Sequence, residues 1–206
     1  MKPEYWDKAK RFLTRTDPTM ARIIRAHPKV SMMRRGEAFM TLARAICGQQ
    51  ISVKAAQSVW NRVVLCLDQE ITPDAVIARD RKKLRACGLS DRKTEYIADL
   101  AQHFADGKIH QHRWPEMDDE AIIAELTDVR GIGRWTAEMF LMFNLLRPDV
   151  FPLGDLGLQK GIRVNYFKGR KISPGRMRKL GETWRPWRSV ATWYLWRSLD
   201  PLPVEY

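Results

Sequence analysis

The 206 residues are 45% hydrophobic and 29% charged, a globular composition that excludes wholesale disorder and collagen-like architectures. Lys plus Arg number 36 against 24 Asp plus Glu, a formal net charge of +12, and a chain this basic usually meets a polyanion, most often nucleic acid. The three cysteines, Cys47, Cys66 and Cys87, form no C-x-x-C pair. Their number and spacing exclude a disulfide framework, a four-cysteine zinc site and a four-cysteine iron–sulfur cluster.

In chain order, the opening residues MKPEYWDKAKRF lack an apolar h-region, so no signal peptide is expected. Asp17-Pro18 is an N-cap followed by proline at the first helical position and opens a helix toward Ala26. Residues 37–48 place Phe39, Leu42, Ala43, Ile46 and Cys47 at helical spacing. Ser52 caps the next helix, with Val53, Ala56, Val59, Trp60 and Val63 as its apolar stripe, and Cys47 and Cys66 read as buried thiols. Thr72-Pro73 starts a short helix, and residues 84–87 end another at Gly88. Ser90 or Asp91 opens a helix to about Ala105, with Tyr96, Ile97, Leu100, Ala101 and Phe104 on one face. Residues 107–115 read as a linker, Asp118 opens a helix over 119–126, and residues 134–146 form a long apolar one. Asp155 caps 156–165, Ser173-Pro174 opens a helix to Trp184, and Pro186 opens the last, to about Leu199. No period-2 run is bounded by turn signals, so the fold class is all-α with about eleven short helices. No apolar stretch approaches the roughly 20 residues of a membrane span.

The charge sits at the two ends. Residues 1–50 carry eleven basic and four acidic side chains, residues 51–155 fourteen and seventeen, and residues 156–206 eleven and three. Between Gln159 and Leu180 there is no acidic residue but there are Lys160, Arg163, Lys168, Arg170, Lys171, Arg176, Arg178 and Lys179. A solvated basic face is one reading; the length of the window favours phosphate contact.

Residues 126–137 read Leu-Thr-Asp-Val-Arg-Gly-Ile-Gly-Arg-Trp-Thr-Ala, a hairpin between two helices. Gly131 and Gly133 allow a tight turn and present amide N–H groups unobstructed by Cβ. Those amides stand at a helix N-terminus, which favours an anion, and the natural anion is a DNA phosphate. Upstream carbonyls in the same turn can hold a cation. A plain turn is the alternative reading.

This hairpin, followed by Pro148-Asp149-Val150-Phe151-Pro152-Leu153-Gly154-Asp155, resembles the helix-hairpin-helix (HhH-GPD) DNA glycosylase superfamily, whose hairpin precedes a Gly/Pro-rich loop and an aspartate. Ala45-Ile46-Cys47-Gly48-Gln49-Gln50-Ile51-Ser52 resembles the family segment that enters the duplex, and Cys87-Gly88-Leu89-Ser90-Asp91-Arg92-Lys93 its Gly-Leu-Ser-x-x-Lys turn. Pro186 to Ser189 and Trp193 to Arg197 resemble the C-terminal helix of the 3-methyladenine DNA glycosylase II branch. The likeness spans residues 45–197. It implies a single glycosylase unit over 1–206, with two helical subdomains flanking a DNA-binding cleft. One is central, about 37–150 with the hairpin, and the other joins 1–36 to 151–206. The N-terminal β domain of larger members is not expected.

On its own, Asp155 is a helix N-cap; the resemblance makes it the catalytic carboxylate, stabilising oxocarbenium character at the sugar or orienting water. The two roles are compatible, and capping would hold the carboxylate rigid. The resemblance places Trp135, Trp196 and Met139 in the base pocket, where an indole face attracts a cationic alkylated purine; Trp60, Trp187 and Trp193 read as core. Met139 stands where well-known members have an aromatic residue, and Gly157 where they have a bulkier one. Strand-cutting members carry a Schiff-base lysine at the position of Trp135, so a monofunctional enzyme with water as nucleophile is implied. Gln50, at a loop tip before Ser52, is the wedge that fills the gap left by a flipped base. Gly131, Gly133 and Thr136 are the candidate phosphate-binding residues, and the carbonyls of Thr127, Val129 and Ile132 are the candidates to hold a monovalent Na+ or K+. No cofactor is required, and no iron–sulfur cluster is expected.

The reading is therefore a DNA N-glycosylase for alkylated purines of the 3-methyladenine and 7-methylguanine type, acting on double-stranded DNA in base excision repair. A monomer, cytoplasmic and nucleoid-associated if bacterial, with no membrane contact, is the expectation. The alternatives are a glycosylase for deaminated or oxidised bases, against which Trp135 and the missing cluster cysteines argue, and a non-catalytic damaged-DNA binder. Asp155 discriminates against the latter, since a pure binder needs no carboxylate facing phosphate.

Overall fold

The computed structural model describes residues 2–200, and these form twelve helices and no strand. In chain order they are α1 (Trp6–Thr16), α2 (Pro18–Ala26), α3 (Ala38–Gly48), α4 (Val53–Cys66), α5 (Pro73–Ala78), α6 (Arg81–Ala86), α7 (Asp91–Ala105), α8 (Asp119–Thr127), α9 (Arg134–Phe143), α10 (Leu156–Phe167), α11 (Pro174–Glu182) and α12 (Arg188–Arg197). They fall into two units. The first is discontinuous, taking the chain up to Arg34 and again from Leu141, and the second is Arg35–Phe140. The break lies inside α9, so residues 141–150 go with the chain ends and not with the central unit.

Most helix starts follow local capping chemistry. Asp17, Ser52, Thr72, Asp80, Ser90, Asp118, Asp155 and Ser173 each accept a backbone N–H of their own first turn. Such a cap satisfies one of the orphan donors at a helix start and contributes about 1 kcal/mol.

In the first unit, Trp6, Ala9 and Leu13 form the buried stripe of α1. The Trp6 ring meets Trp193 edge-on at 5.3 Å and lies 5.7 Å from Tyr194. The buried Asp17 is the polar centre of this unit. Its Oδ1 accepts from the amides of Thr19 and Met20, while Oδ2 accepts from the Tyr166 hydroxyl of α10 at 2.6 Å and the Trp184 indole N–H at 2.9 Å. A buried carboxylate is tolerable only when it is this fully hydrogen-bonded. α10 and α12 approach closely because Gly161 has no side chain: a Cβ there would lie 3.0 Å from that of Leu195.

The loop between α9 and α10 is pinned by the start of α12. Arg188 Nε and Nη2 donate to the two carboxylate oxygens of Asp149 at 2.8 and 2.9 Å, and Nη2 also reaches the Asp149 carbonyl at 2.9 Å. Ser189 Oγ accepts from the Val150 amide and donates to the Arg147 carbonyl. Lysine cannot reproduce this forked geometry. Arg188→Lys is expected to cost about 1–1.5 kcal/mol, seen in calorimetry as a melting temperature lower by about 3–5 °C; an unchanged melting temperature would count against the pin.

In the second unit α7 is central, with α3, α5 and α6 packed on it. Phe39 meets Phe104 edge-on at 5.4 Å, and Trp114 meets Phe140 at 5.2 Å.

Several expectations change: Val53 is exposed, Trp187 is half-buried, and the last helix begins at Arg188, not Pro186. Residues 6–16 form a helix, α1, outside the expected set, with Trp6, Ala9 and Leu13 at helical spacing. α9 ends at Phe143, not 146, because Leu146 adopts a left-handed φ of 55° and the Arg147 amide closes back on the Leu141 carbonyl at 2.9 Å. The segment 107–115 is no free linker: Ile109 and Trp114 are buried, and Glu125 accepts from the Trp114 indole at 2.8 Å and the His110 amide at 2.9 Å. Cys66 is half-buried, while Cys47 and Cys87 are buried and all three are free thiols. Burial pushes the Cys47 thiol up to about 12, which keeps it inert.

Candidate active site

In the first unit, the turn ending at Asp155 is closed by the Asp155 amide on the Pro152 carbonyl at 2.8 Å and braced by Gln159 Nε2 on the Leu153 carbonyl at 2.9 Å. Asp155 then caps α10. Its Oδ1 accepts from the Leu158 amide at 2.5 Å and from the Trp196 indole Nε1 at 2.8 Å. The carboxylate is thus fixed at a helix N-terminus, where the helix dipole favours its negative charge. Trp196 stacks on Phe143, with centroids 6.0 Å apart and planes at 18°. Its indole edge serves the carboxylate, a contact between residues 41 apart that spacing could not reveal. Phe143, Asp149, Arg188 and Ser189 support this arrangement. In the sequence they stand only as members of motifs or of an apolar helix.

The second unit joins three motifs that the sequence presents separately. Lys93 Nζ, from the Gly-Leu-Ser turn, donates to the Cys47 carbonyl near the end of α3 at 2.8 Å. Gln49 Nε2, in the next turn of chain, donates to the Gly131 carbonyl of the hairpin at 2.8 Å. Gln50 follows with a φ of 58° and an exposed side chain. A left-handed glutamine is uncommon and costs of order 1 kcal/mol, a strain that collects at functional tips.

The hairpin glycines differ. Gly131 has a φ of 87° and lies against the Tyr96 ring, 2.2 Å from where a Cβ would stand; glycine is required there for the turn itself. Gly133 has no positive φ, is exposed, and has nothing within 4 Å of a Cβ position. Its missing side chain leaves open surface at the start of α9. The hairpin arginines are engaged by carboxylates: Arg130 with Glu95 at 3.1 Å, and Arg134 with Glu120 and Glu138. The Arg130 amide donates to Asp99 at 2.8 Å. Trp135 is 40% exposed on the first turn of α9, with Met139 half-buried one turn on and Thr136 half-buried beside it. Val129 O accepts from the Ile132 amide at 3.1 Å, and a carbonyl keeps a second lone pair for a cation. Thr127 ends α8, and Val129 and Ile132 are buried in the turn that follows. No group of His, Cys, Asp and Glu able to hold a metal occurs among the described residues.

Of the eight basic residues between 159 and 180, seven are exposed and Arg163 is half-buried, and none forms an ion pair with an acidic group among the described residues. That separates them from the neutralised arginines of the hairpin. No helix among the described residues is long and apolar enough to cross a membrane.

Residues 43–186 match the family model of the HhH-GPD superfamily base excision DNA repair proteins. The chain is 33% identical to DNA-3-methyladenine glycosylase 1 of Schizosaccharomyces pombe over 93% of its own length and 86% of that protein. Its fold is similar to the crystal structure of a DNA-3-methyladenine glycosidase from Bacillus halodurans, with a TM-score of 0.86 at 32% identity over 93% of this chain and 88% of that one. The S. pombe 3-methyladenine DNA glycosylase Mag1, solved in complex with abasic DNA, superposes with a TM-score of 0.80 at 32% identity over 97% of this chain and 99% of that one.

Proposed function

The chain belongs to the HhH-GPD superfamily of base excision DNA repair proteins, and we propose that it is a monofunctional DNA N-glycosylase that removes alkylated purines by base flipping. The observation that carries this reading is the rigid carboxylate of Asp155, capped into α10 and held by Trp196 at 2.8 Å. As the glycosidic bond breaks, positive charge develops on the sugar, and a fixed anion beside it is worth more than a mobile one because no reorganisation is needed. Water adds to the anomeric carbon, giving its proton to the Asp155 carboxylate or to solvent, and the base leaves with the bond's electron pair. An alkylated purine that was cationic leaves neutral, so it needs no general acid. Trp135 offers an aromatic face for such a cation, with Met139 one turn on, and its indole has no amine able to form a Schiff base.

Binding divides between backbone and side chains. The amides around Gly131 and Gly133, with Thr136, receive a phosphate, and the carbonyls of Thr127, Val129 and Ile132 hold a monovalent cation that bridges to it. The unpaired basic residues of 159–180 add phosphate contacts, each contributing about −0.9 to the slope of log affinity against log salt. Gln50 fills the gap left by the flipped base, at a cost of a few kcal/mol for unstacking. The protein acts on duplex DNA as a monomer.

The test is incubation with methylated duplex DNA. Release of 3-methyladenine or 7-methylguanine, with the abasic strand left intact until alkali is added, is the expected result. A covalent complex trapped by borohydride would refute the monofunctional assignment. Release of hypoxanthine or 8-oxoguanine without methylated purines would move the protein to the deaminated- or oxidised-base class, and binding without release would make it a damage sensor.

A further inference from the structure

Gly157 stands in the first turn of α10, two residues after Asp155, where glycine is the poorest helix former short of proline. Its backbone does not need glycine, since its φ is not positive. Its surroundings do. A Cβ at this position would lie 3.1 Å from Asp155 Oδ1 and 3.1 Å from both Cδ1 and Nε1 of Trp196. Ordinary carbon contacts are about 3.5–4.0 Å. Oδ1 and Nε1 are the acceptor and donor of the bond that fixes the carboxylate. Neither can yield cheaply: Oδ1 also accepts from the Leu158 amide, and the indole lies on Phe143.

We infer that Gly157 is a positioning residue for the reaction, acting through Trp196 and Asp155. Its missing methyl lets the indole settle on the first turn of α10 with its N–H on the carboxylate, and helix propensity is sacrificed for that bond. The inference rests on the assignment of Asp155 as the reacting carboxylate. It adds that the orientation of that carboxylate is set by the absence of one carbon atom.

The experiment is a double-mutant cycle of Gly157→Ala and Trp196→Phe. It reads single-turnover release of 7-methylguanine, affinity for a duplex with an abasic analogue, and melting temperature. Gly157→Ala should slow release about ten- to hundredfold, since sub-ångström to ångström misplacement of a reacting group costs up to that much. Affinity should stay within about twofold, and the melting temperature should change by no more than a few degrees, because alanine's helix preference opposes the cost of displacing the indole and carboxylate. Phenylalanine has no Nε1 to displace and only the direct approach to Asp155 Oδ1 remains, so Gly157→Ala should slow release less in Trp196→Phe than in the wild type. Wild-type rate in Gly157→Ala, or losses that multiply in the double variant, would overturn the inference. A parallel fall in rate, affinity and stability would do the same, because it marks general disruption.

A readout independent of activity completes the test. The Trp196 indole N–H resonance, assigned by its loss in Trp196→Phe, should shift in Gly157→Ala; an unmoved resonance refutes the role of Gly157. A wild-type protein that releases no base overturns the glycosylase reading instead, and the resonance still decides whether Gly157 shapes the Trp196–Asp155 contact.

Discussion

Asp155→Asn is expected to slow the release of alkylated bases by at least about 10²–10³-fold, roughly 2.7–4 kcal/mol of lost transition-state stabilisation. The substitution is close to isosteric. Asparagine is as good an N-cap as aspartate, and its side-chain carbonyl can still accept from the Leu158 amide and the Trp196 indole, the two donors now on Oδ1. What disappears is the negative charge. The melting temperature and the affinity for abasic DNA should therefore change little while excision collapses. Single-turnover release of 3-methyladenine checks this: a wild-type rate in the variant would remove Asp155 from the chemistry and leave it a cap.

Gly133→Val is expected to weaken binding to damaged and undamaged duplexes alike, by about ten- to hundredfold, equivalent to one or two lost hydrogen bonds to a charged group. The position is suited to such a test. Nothing lies within 4 Å of where its Cβ would be built and its φ is not positive, so the folded protein accommodates a side chain. A phosphate approaching the amides at the start of α9 does not. Gly131 would be a poor choice, since a side chain there enters the Tyr96 ring and the φ of 87° is itself strained. Fluorescence anisotropy on an abasic-analogue duplex measures the effect. Unchanged affinity would reduce the hairpin to a turn and put the phosphate grip elsewhere, with the basic segment 159–180 as the remaining candidate.

What was legible in the sequence is what local chemistry decides. Asp17, Ser52, Thr72, Ser90, Asp118, Asp155 and Ser173 announce helices because a short polar side chain before an apolar run satisfies amides two or three residues away. α1 starts at Trp6, after a Tyr5 that makes no side-chain cap, so only its apolar spacing could have given it away. α9 stops early at a left-handed leucine, which carries no turn signal of its own. The segment 107–115 has the Gly and Pro of a linker. Its burial depends on Glu125, which lies eleven residues beyond Trp114 and is invisible to any local pattern. The same division runs through the site. Asp155 as a cap could be read directly, and its chemical role came with the resemblance. The Trp196 indole on its carboxylate and the Arg188 fork on Asp149 join residues 41 and 39 apart, and only the folded chain brings them together.

Asp17 also dictates an order of assembly. Its partners Tyr166 and Trp184 lie 149 and 167 residues further along the chain, so on a ribosome that carboxylate waits until Trp184 has been made. The central helices, from α3 to the hairpin, have their own core and can close first, because chains fold N-terminal units as they emerge and long-range contacts form slowly. A nascent or truncated chain ending before Trp184 would then carry the hairpin without the completed support of α10. Such fragments would also lack the Asp155–Trp196 contact, which forms only once synthesis has passed Trp196.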